Sequence, residues 1–421
     1  MTYRTQSESF LEEKKGDSLS QSSIPLQNKS KRIWFHAVSV GEMNLLKPVL
    51  KEIELLHPTW EIVISTTSKT GMLLGHKLFS QRTVFYCPLD FSWAVRNAMK
   101  RIQPDMLCLV ELELWPNLIA AAKQNKAKVA IINGRISDKS FRRYFRIRAI
   151  LPFIFRQIDL IAVQDEMTAQ SFRNLGAATE TIKTTGSIKF DGVQMNRNNA
   201  KTLELSKMVG ISDSDIVFLA GSTQDPEELL ALQTFRELWP NESRLRLILV
   251  PRHPERFDAV AKMLDQSEFS WTRRSCFSSN DLAVKTTEPK ATDPKTEDSK
   301  PRILLVDTIG ELGAFWGRAD IAFVGGSLGK RGGQNMLEPA AYGAAVSFGP
   351  NTKNFRDISS MMLNAKAAVV VSNQKELTQF VARCLNDWQW KEELGKNAQK
   401  LVLKQQGATK VTLQYLENLL E

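Results

Sequence analysis

At 421 residues, 43% hydrophobic and 24% charged, the chain is long enough to bury the cores of two or three soluble domains. Four cysteines without CxxC pairing and four scattered histidines argue against a disulfide framework and a zinc site, and no apolar run reaches the roughly 18 residues that a membrane-spanning helix needs. The net charge of +10 lies wholly in residues 1–200, where 28 Lys and Arg face 18 Asp and Glu; the remainder balances at 28 against 28, so the first half is the one suited to an anionic partner.

In chain order, residues 1–30 are polar and without apolar period, and read as disordered. From Lys31 strands and helices alternate. The strands begin at Arg32, Trp60, Val84, Met106, Lys128 and Leu160, and most are followed by an amphipathic stretch. This predicts parallel βαβ units in a doubly wound, Rossmann-like domain over 31–195. A polar joint leads to a second domain of the same kind over 205–385. Its strands begin at Ile216, Arg246, Ile303, Ile321, Ala345 and Ala368, and helices complete the chain over 386–421. The low-complexity interval 278–302 reads as a mobile surface loop. Ligands of such sheets bind at the carboxyl ends of the strands.

Candidate chemistry falls at those ends. Glu42, in the Ser39-Val-Gly41-Glu turn after the first strand, reads either as a general base or as a first-turn acid favoured by the helix dipole. Glu111 and Glu113 are read as ending the fourth strand on one face, where arginine partners are the alternative to function. Arg135 and Ser137, then Ser187 and Lys189, offer donors and cations for an anionic sugar. In the second domain Gly221-Ser-Thr223 reads as a small anion-binding turn, and Pro251-Arg252 and Ile309-Gly310-Glu311 stand at later strand ends. The stretch Ile321 to Ala341 reads as strand, glycine-rich loop and helix. Gly325, Gly326, Gly332 and Gly333, with Lys330 and Arg331, suggest a phosphate cradle, and Glu338 an acceptor for ribose hydroxyls, against the alternative of an ordinary βα turn. Residues 139–156 interleave six cations with five aromatics, which suits an interfacial helix on anionic headgroups, with a partly buried amphipathic helix as the alternative; no RNA-binding signature accompanies them, so nucleic acid is not expected.

Taken together these segments resemble the 3-deoxy-D-manno-octulosonic acid (Kdo) transferases of lipopolysaccharide synthesis. The blocks are HAVSVGE (36–42), STTSKTG (65–71), ELELWPNLI (111–119), NGRIS (133–137), GSIKFD (186–191), AGST (220–223), LVPRHPERF (249–257), DTIGELG (307–313) and FVGGSLGKRGGQNMLEPAAYG (323–343). The resemblance implies a GT-B fold, with two Rossmann-like domains facing each other across a cleft, and inverting transfer of Kdo from CMP-Kdo to lipid A precursor (lipid IVA) without a metal or other cofactor. It implies Glu42 as base, with Glu111 and Lys189 stabilising the transition state. Pro251, Arg252, Ile309, Gly310, Glu311, Asn335, Met336, Leu337 and Glu338 would hold CMP, with Gly332 and Gly333 at its phosphate. Ser39, Gly41 and Arg135 would meet acceptor or sugar. Members commonly begin with an apolar anchor, whereas these first 30 residues are polar; either the acceptor differs from lipid A or, as the favoured expectation, the protein attaches peripherally to the cytoplasmic face of the inner membrane through its basic half. A UDP-sugar transferase of the same fold, or a non-catalytic nucleotide- and lipid-binding protein, are the alternatives.

Overall fold

The computed structural model describes residues 30–277 and 301–421. Except for Ser30, Pro301 and Arg302, the polar leader and the 278–302 loop lie outside the described residues. Two seven-stranded sheets, parallel throughout, organise the rest. The first comprises β1 (Arg32–His36), β2 (Glu61–Thr66), β3 (Thr83–Tyr86), β4 (Met106–Val110), β5 (Lys128–Gly134), β6 (Leu160–Val163) and β7 (Ile182–Thr184), in the order β3-β2-β1-β4-β5-β6-β7. The second comprises β8 (Ile216–Thr223), β9 (Leu245–Pro251), β10 (Trp271–Arg273), β11 (Ile303–Leu305), β12 (Ile321–Val324), β13 (Ala345–Phe348) and β14 (Ala368–Val370), in the order β10-β11-β9-β8-β12-β13-β14.

The central strands β4 and β12 are buried at every residue, as strands covered on both faces must be. Apolar clusters line both faces of each sheet. Sequence reading found twelve strands and missed β7 and β10. Both are edge strands that are only partly buried, and their sequences, Ile-Lys-Thr and Trp-Thr-Arg, are broken by polar and charged residues, whereas the equally short β11 and β14 are wholly apolar.

Strand order reverses between β1 and β4 in the first sheet and between β8 and β12 in the second. These are the crevices where doubly wound sheets take ligands. The segments after these four strands carry Glu42 and Glu227 in the first turns of helices, and Glu111 and Gly325 to Leu328 in loops.

The chain ends on the lobe where it began. The helix Ala408–Leu420 buries Leu413, Leu416 and Leu420 in the first core, and burial of three leucines is worth on the order of 5 kcal/mol. Its start is held by Asp191, whose carboxylate accepts the N–H groups of Gly407 at 2.6 Å and Thr409 at 2.5 Å. His57 Nε2 meets Glu417 Oε1 at 2.5 Å further along. Asp191→Ala bares two amides and should destabilise the protein by about 2 kcal/mol, read as a lower urea midpoint. An unchanged midpoint would show that the leucines alone fix this helix.

Candidate active site

The first lobe builds its site from three loops. Val38 and Ser39 follow β1, and Ser39 caps the helix Val40–Leu56 by accepting the Glu42 N–H at 3.2 Å. Glu42 returns two bonds, accepting Val38 N–H at 2.7 Å and Ser39 Oγ–H at 2.7 Å, a capping box closed on itself. The turn is pinned from the loop after β2, because the Val38 carbonyl accepts hydroxyls from Ser68 at 2.7 Å and Thr66 at 3.1 Å. That contact requires Gly71, where a Cβ would stand 2.5 Å from Thr66 Oγ1. A Cβ on Gly41 would meet only Ser39 Oγ, at 3.6 Å, so this side of the turn is open.

Capping does not exhaust what Glu42 can do. The side chain is 7% exposed, and burial lifts its pKa from 4.5 to about 7. Its two hydrogen bonds pull the value back, while the charges of Glu113 and Glu111 push it further up. Such a carboxyl exchanges its proton near neutrality, as a general base must. Each oxygen accepts one bond here, leaving lone pairs for an incoming hydroxyl.

Glu111 and Glu113 are arranged differently from the sequence reading. Strand β4 ends at Val110, and Glu111 takes the left-handed conformation (φ 59°), so strand alternation no longer relates the two carboxylates. Glu111 turns to Lys189, whose Nζ lies 3.4 Å from its Oε1. Glu113 accepts the Trp115 indole N–H at 3.0 Å, and burial raises its pKa. Lys189 is placed by Asn133, whose side-chain oxygen accepts the Ile188 N–H at 3.0 Å.

In the second lobe the largest correction concerns the glycine-rich loop. Its N–H groups do cradle an anion, but the anion belongs to the protein. Glu227, 1% exposed, accepts the N–H of Gly326 at 2.6 Å, Gln224 at 2.9 Å, and Ser327 and Leu328 at 3.0 Å each. A Cβ on Gly325 would stand 2.7 Å from that carboxylate, which explains the glycine. Further along, the Gly333 N–H is bonded to the Gly326 carbonyl at 2.8 Å, and Gly332 (φ 98°) packs on Lys353. The turn at Gly221-Ser-Thr223 is likewise committed inward, with Thr223 Oγ1 donating to Glu228 at 3.1 Å.

Beside this filled crevice a second set of groups faces outward. Arg252 is exposed after β9 and forms no ion pair among the described residues. Gly310 (φ 93°) has open space where a Cβ would be, and Ile309 is 72% exposed. The Glu311 carboxylate is held by Arg274 at 2.8 Å and by Thr308. Asn335 donates to Glu338 Oε1 at 3.1 Å and caps Leu337 N–H at 3.1 Å. Met336 and Leu337 are buried, main chain included, at 0% and 1% exposure, so they support the turn rather than face outward with its other members. The helix they open is one short turn, Leu337–Ala341.

Burial raises the Glu338 pKa, and two cations oppose it: Arg252, and Lys47 from the helix that begins with Glu42. The base-bearing helix of one lobe therefore stands within electrostatic reach of the outward-facing groups of the other. Arg135 Nη2 also crosses the cleft, to Asp357 Oδ2 at 2.8 Å.

Sequence reasoning missed Lys47, Glu227 and the roles of Thr66, Ser68 and Asp191. The last three stand in blocks already singled out, but only the folded contacts show them to be struts. Glu227, in Asp225-Pro-Glu-Glu, reads as an ordinary first-turn acid, and no pattern signals its burial. The stretch 139–156 was expected to be one interfacial helix. It is two short ones, Asp138–Phe145 and Leu151–Phe155, separated by turns and with Leu151 and Phe155 buried.

Two facing α/β lobes with strand-end loops converging on one cleft define the GT-B class. Solved structures with that arrangement include the UDP-GlcNAc 2-epimerase of Neisseria meningitidis bound to UDP-GlcNAc (12% identity, TM-score 0.60, covering 92% of this chain and 100% of that one). A glycosyltransferase from Rickettsia africae is similar too (12% identity, TM-score 0.58, covering 93% and 99%). Residues 11–192 match the model of the 3-deoxy-D-manno-octulosonic-acid transferase (kdotransferase) family. The chain is 33% identical over 392 residues to the 3-deoxy-D-manno-octulosonic acid transferase of Haemophilus influenzae, covering 92% of this chain and 87% of that protein. It is 30% identical over 398 residues to that of Bordetella pertussis, with the same coverage. The chain belongs to the Kdo transferase family of glycosyltransferases.

Proposed function

We propose that this protein transfers Kdo from CMP-Kdo to a lipid A precursor, lipid IVA, with inversion at the anomeric carbon. The observation that carries the reading is the pairing across the cleft: a buried carboxyl titrating near 7 on one lobe, and Arg252 and Glu338 on the other, linked by the field of Lys47. Glu42 takes the proton from the attacking acceptor hydroxyl as the oxygen–carbon bond forms, and the CMP phosphate leaves with the electron pair of the bond that breaks. Lys189, held by Glu111, is a cation beside the reacting centre, and Arg252 meets the charge on the departing phosphate. The ribose hydroxyls fall to Glu338, and no metal or other cofactor enters the step.

No helix among the described residues is long and apolar enough to cross a membrane. Contact with the cytoplasmic face of the inner membrane is proposed through Ile147, Ile150 and Phe153, which are 47%, 60% and 64% exposed beside Arg148 and Arg156. The test is CMP release from CMP-Kdo with lipid IVA, with the product's anomeric configuration read by NMR. Release with inversion is expected. Tighter binding of UDP than of CMP would replace this reading by that of a UDP-sugar enzyme.

A further inference from the structure

A cavity of about 730 Å³ opens between the lobes beside β5 and β6, away from the Glu42 turn. One wall is the helix Asp138–Phe145. Lys139, Arg142, Arg143 and Arg146 follow one another at i, i+3, i+4 and i+7, so four cations form a single stripe, and all four line the cavity. The other lobe closes it with Lys353 and Arg356.

None of these six cations forms a salt bridge among the described residues. Three carboxylates also line the space: Asp165 caps a helix by accepting the Thr168 N–H at 2.7 Å, Asp357 is taken by Arg135 at 2.8 Å, and Asp138 stands in the first turn of the cationic helix itself, where the helix dipole favours it. Like charges at i,i+3 and i,i+4 oppose the helix that carries them. Phe141 and Tyr144 hold that helix on the first core, so its stripe stays turned to the cavity rather than to a lipid surface.

We propose that this cavity binds a phosphomonoester group, gripped from both lobes at once. Guanidinium forks match phosphate oxygens in pairs, and a site shared by two lobes is completed only when they approach. The transferase reading adds the identity of the carrier: the phosphate belongs to the acceptor glycolipid, held by the stripe while its hydroxyl faces Glu42. The phosphate chemistry itself does not depend on that reading.

The experiment titrates the full-length protein with N-acetylglucosamine 1-phosphate and with N-acetylglucosamine. The phosphorylated sugar should bind at least tenfold more tightly, with affinity falling as salt rises. Arg142→Ala with Arg146→Ala should lose at least tenfold for the sugar phosphate, and Arg356→Ala from the opposite wall should lose a similar factor, all with CMP affinity unchanged. Asp357→Asn releases Arg135, a further cation lining the cavity, and should tighten phosphate binding several-fold, a gain that misfolding cannot produce. In the transfer assay the wall variants should raise KM for the phosphorylated acceptor with little change in kcat.

Equal affinity for the two sugars overturns the proposal. So does a result in which the stripe variants lose binding only to phosphatidylglycerol vesicles, since the cations would then serve a membrane face. Absence of CMP release from the parent protein would sink the transferase reading and leave the phosphate titration standing.

Discussion

Transfer should slow about tenfold for each pH unit below about 7 and level off above it, because in the proposed mechanism only ionised Glu42 can accept the acceptor's proton. Replacing it by glutamine should cost about 10²- to 10⁴-fold in kcat and abolish that acid limb. The same carboxyl leaves a mark on stability. Its folded pKa, about 7, stands above its ordinary 4.5, so the folded state holds the proton more tightly than the unfolded one. Stability is therefore lost as pH rises from 4.5 to 7, at about 1.4 kcal/mol per unit, or about 3 kcal/mol in all. Glu42→Gln removes this penalty. The variant should be more resistant to denaturant than the parent at pH 8 and no more so at pH 4, where the protonated parent pays none. Equal shifts at the two pH values would mean that Glu42 does not titrate in this window and serves only as a cap.

The second large effect is expected at Glu227. Its carboxylate satisfies four backbone N–H groups at the reversal point of the second sheet. Each buried amide left without an acceptor costs about 1–3 kcal/mol, so Glu227→Ala should lose more than about 4 kcal/mol. That is a large share of the 5–15 kcal/mol by which domains are typically stable. Glu227→Gln keeps the shape but offers one oxygen in place of two and should fall between. Circular dichroism during urea unfolding reads both. A Glu227→Ala protein as stable as the parent, but with stronger phosphate affinity at 325–328, would return the glycine loop to the role its sequence suggests.

That loop shows where sequence reading stops. Glycines followed by amides at a strand end do announce an anion, and an anion is there. Its source is a glutamate about a hundred positions earlier, fixed by the adjacency of β8 and β12, which only the topology reveals. The other twelve strands were legible because β-sheet burial writes apolar runs, even around the three-residue β11 and β14; β7 (Ile-Lys-Thr) and β10 (Trp-Thr-Arg) were not, because polar and charged side chains interrupt them. Glu42 was legible as a candidate from its place after β1, but its raised pKa comes from burial and from two glutamates about seventy positions away. Lys47 carries no local signal, since the carboxyl its charge acts on, Glu338, lies in the other lobe. Arg135 was read as a ligand contact; in the structure it bridges the lobes to Asp357.

The decisive measurement is single-turnover CMP release from CMP-Kdo and lipid IVA at pH 8, comparing the parent with Glu42→Gln after confirming that both bind CMP equally. A rate at least a hundredfold lower in the variant is predicted. Equal rates would show that the Glu42 carboxyl takes no proton in the reaction, and the proposed assignment of the cleft would fail.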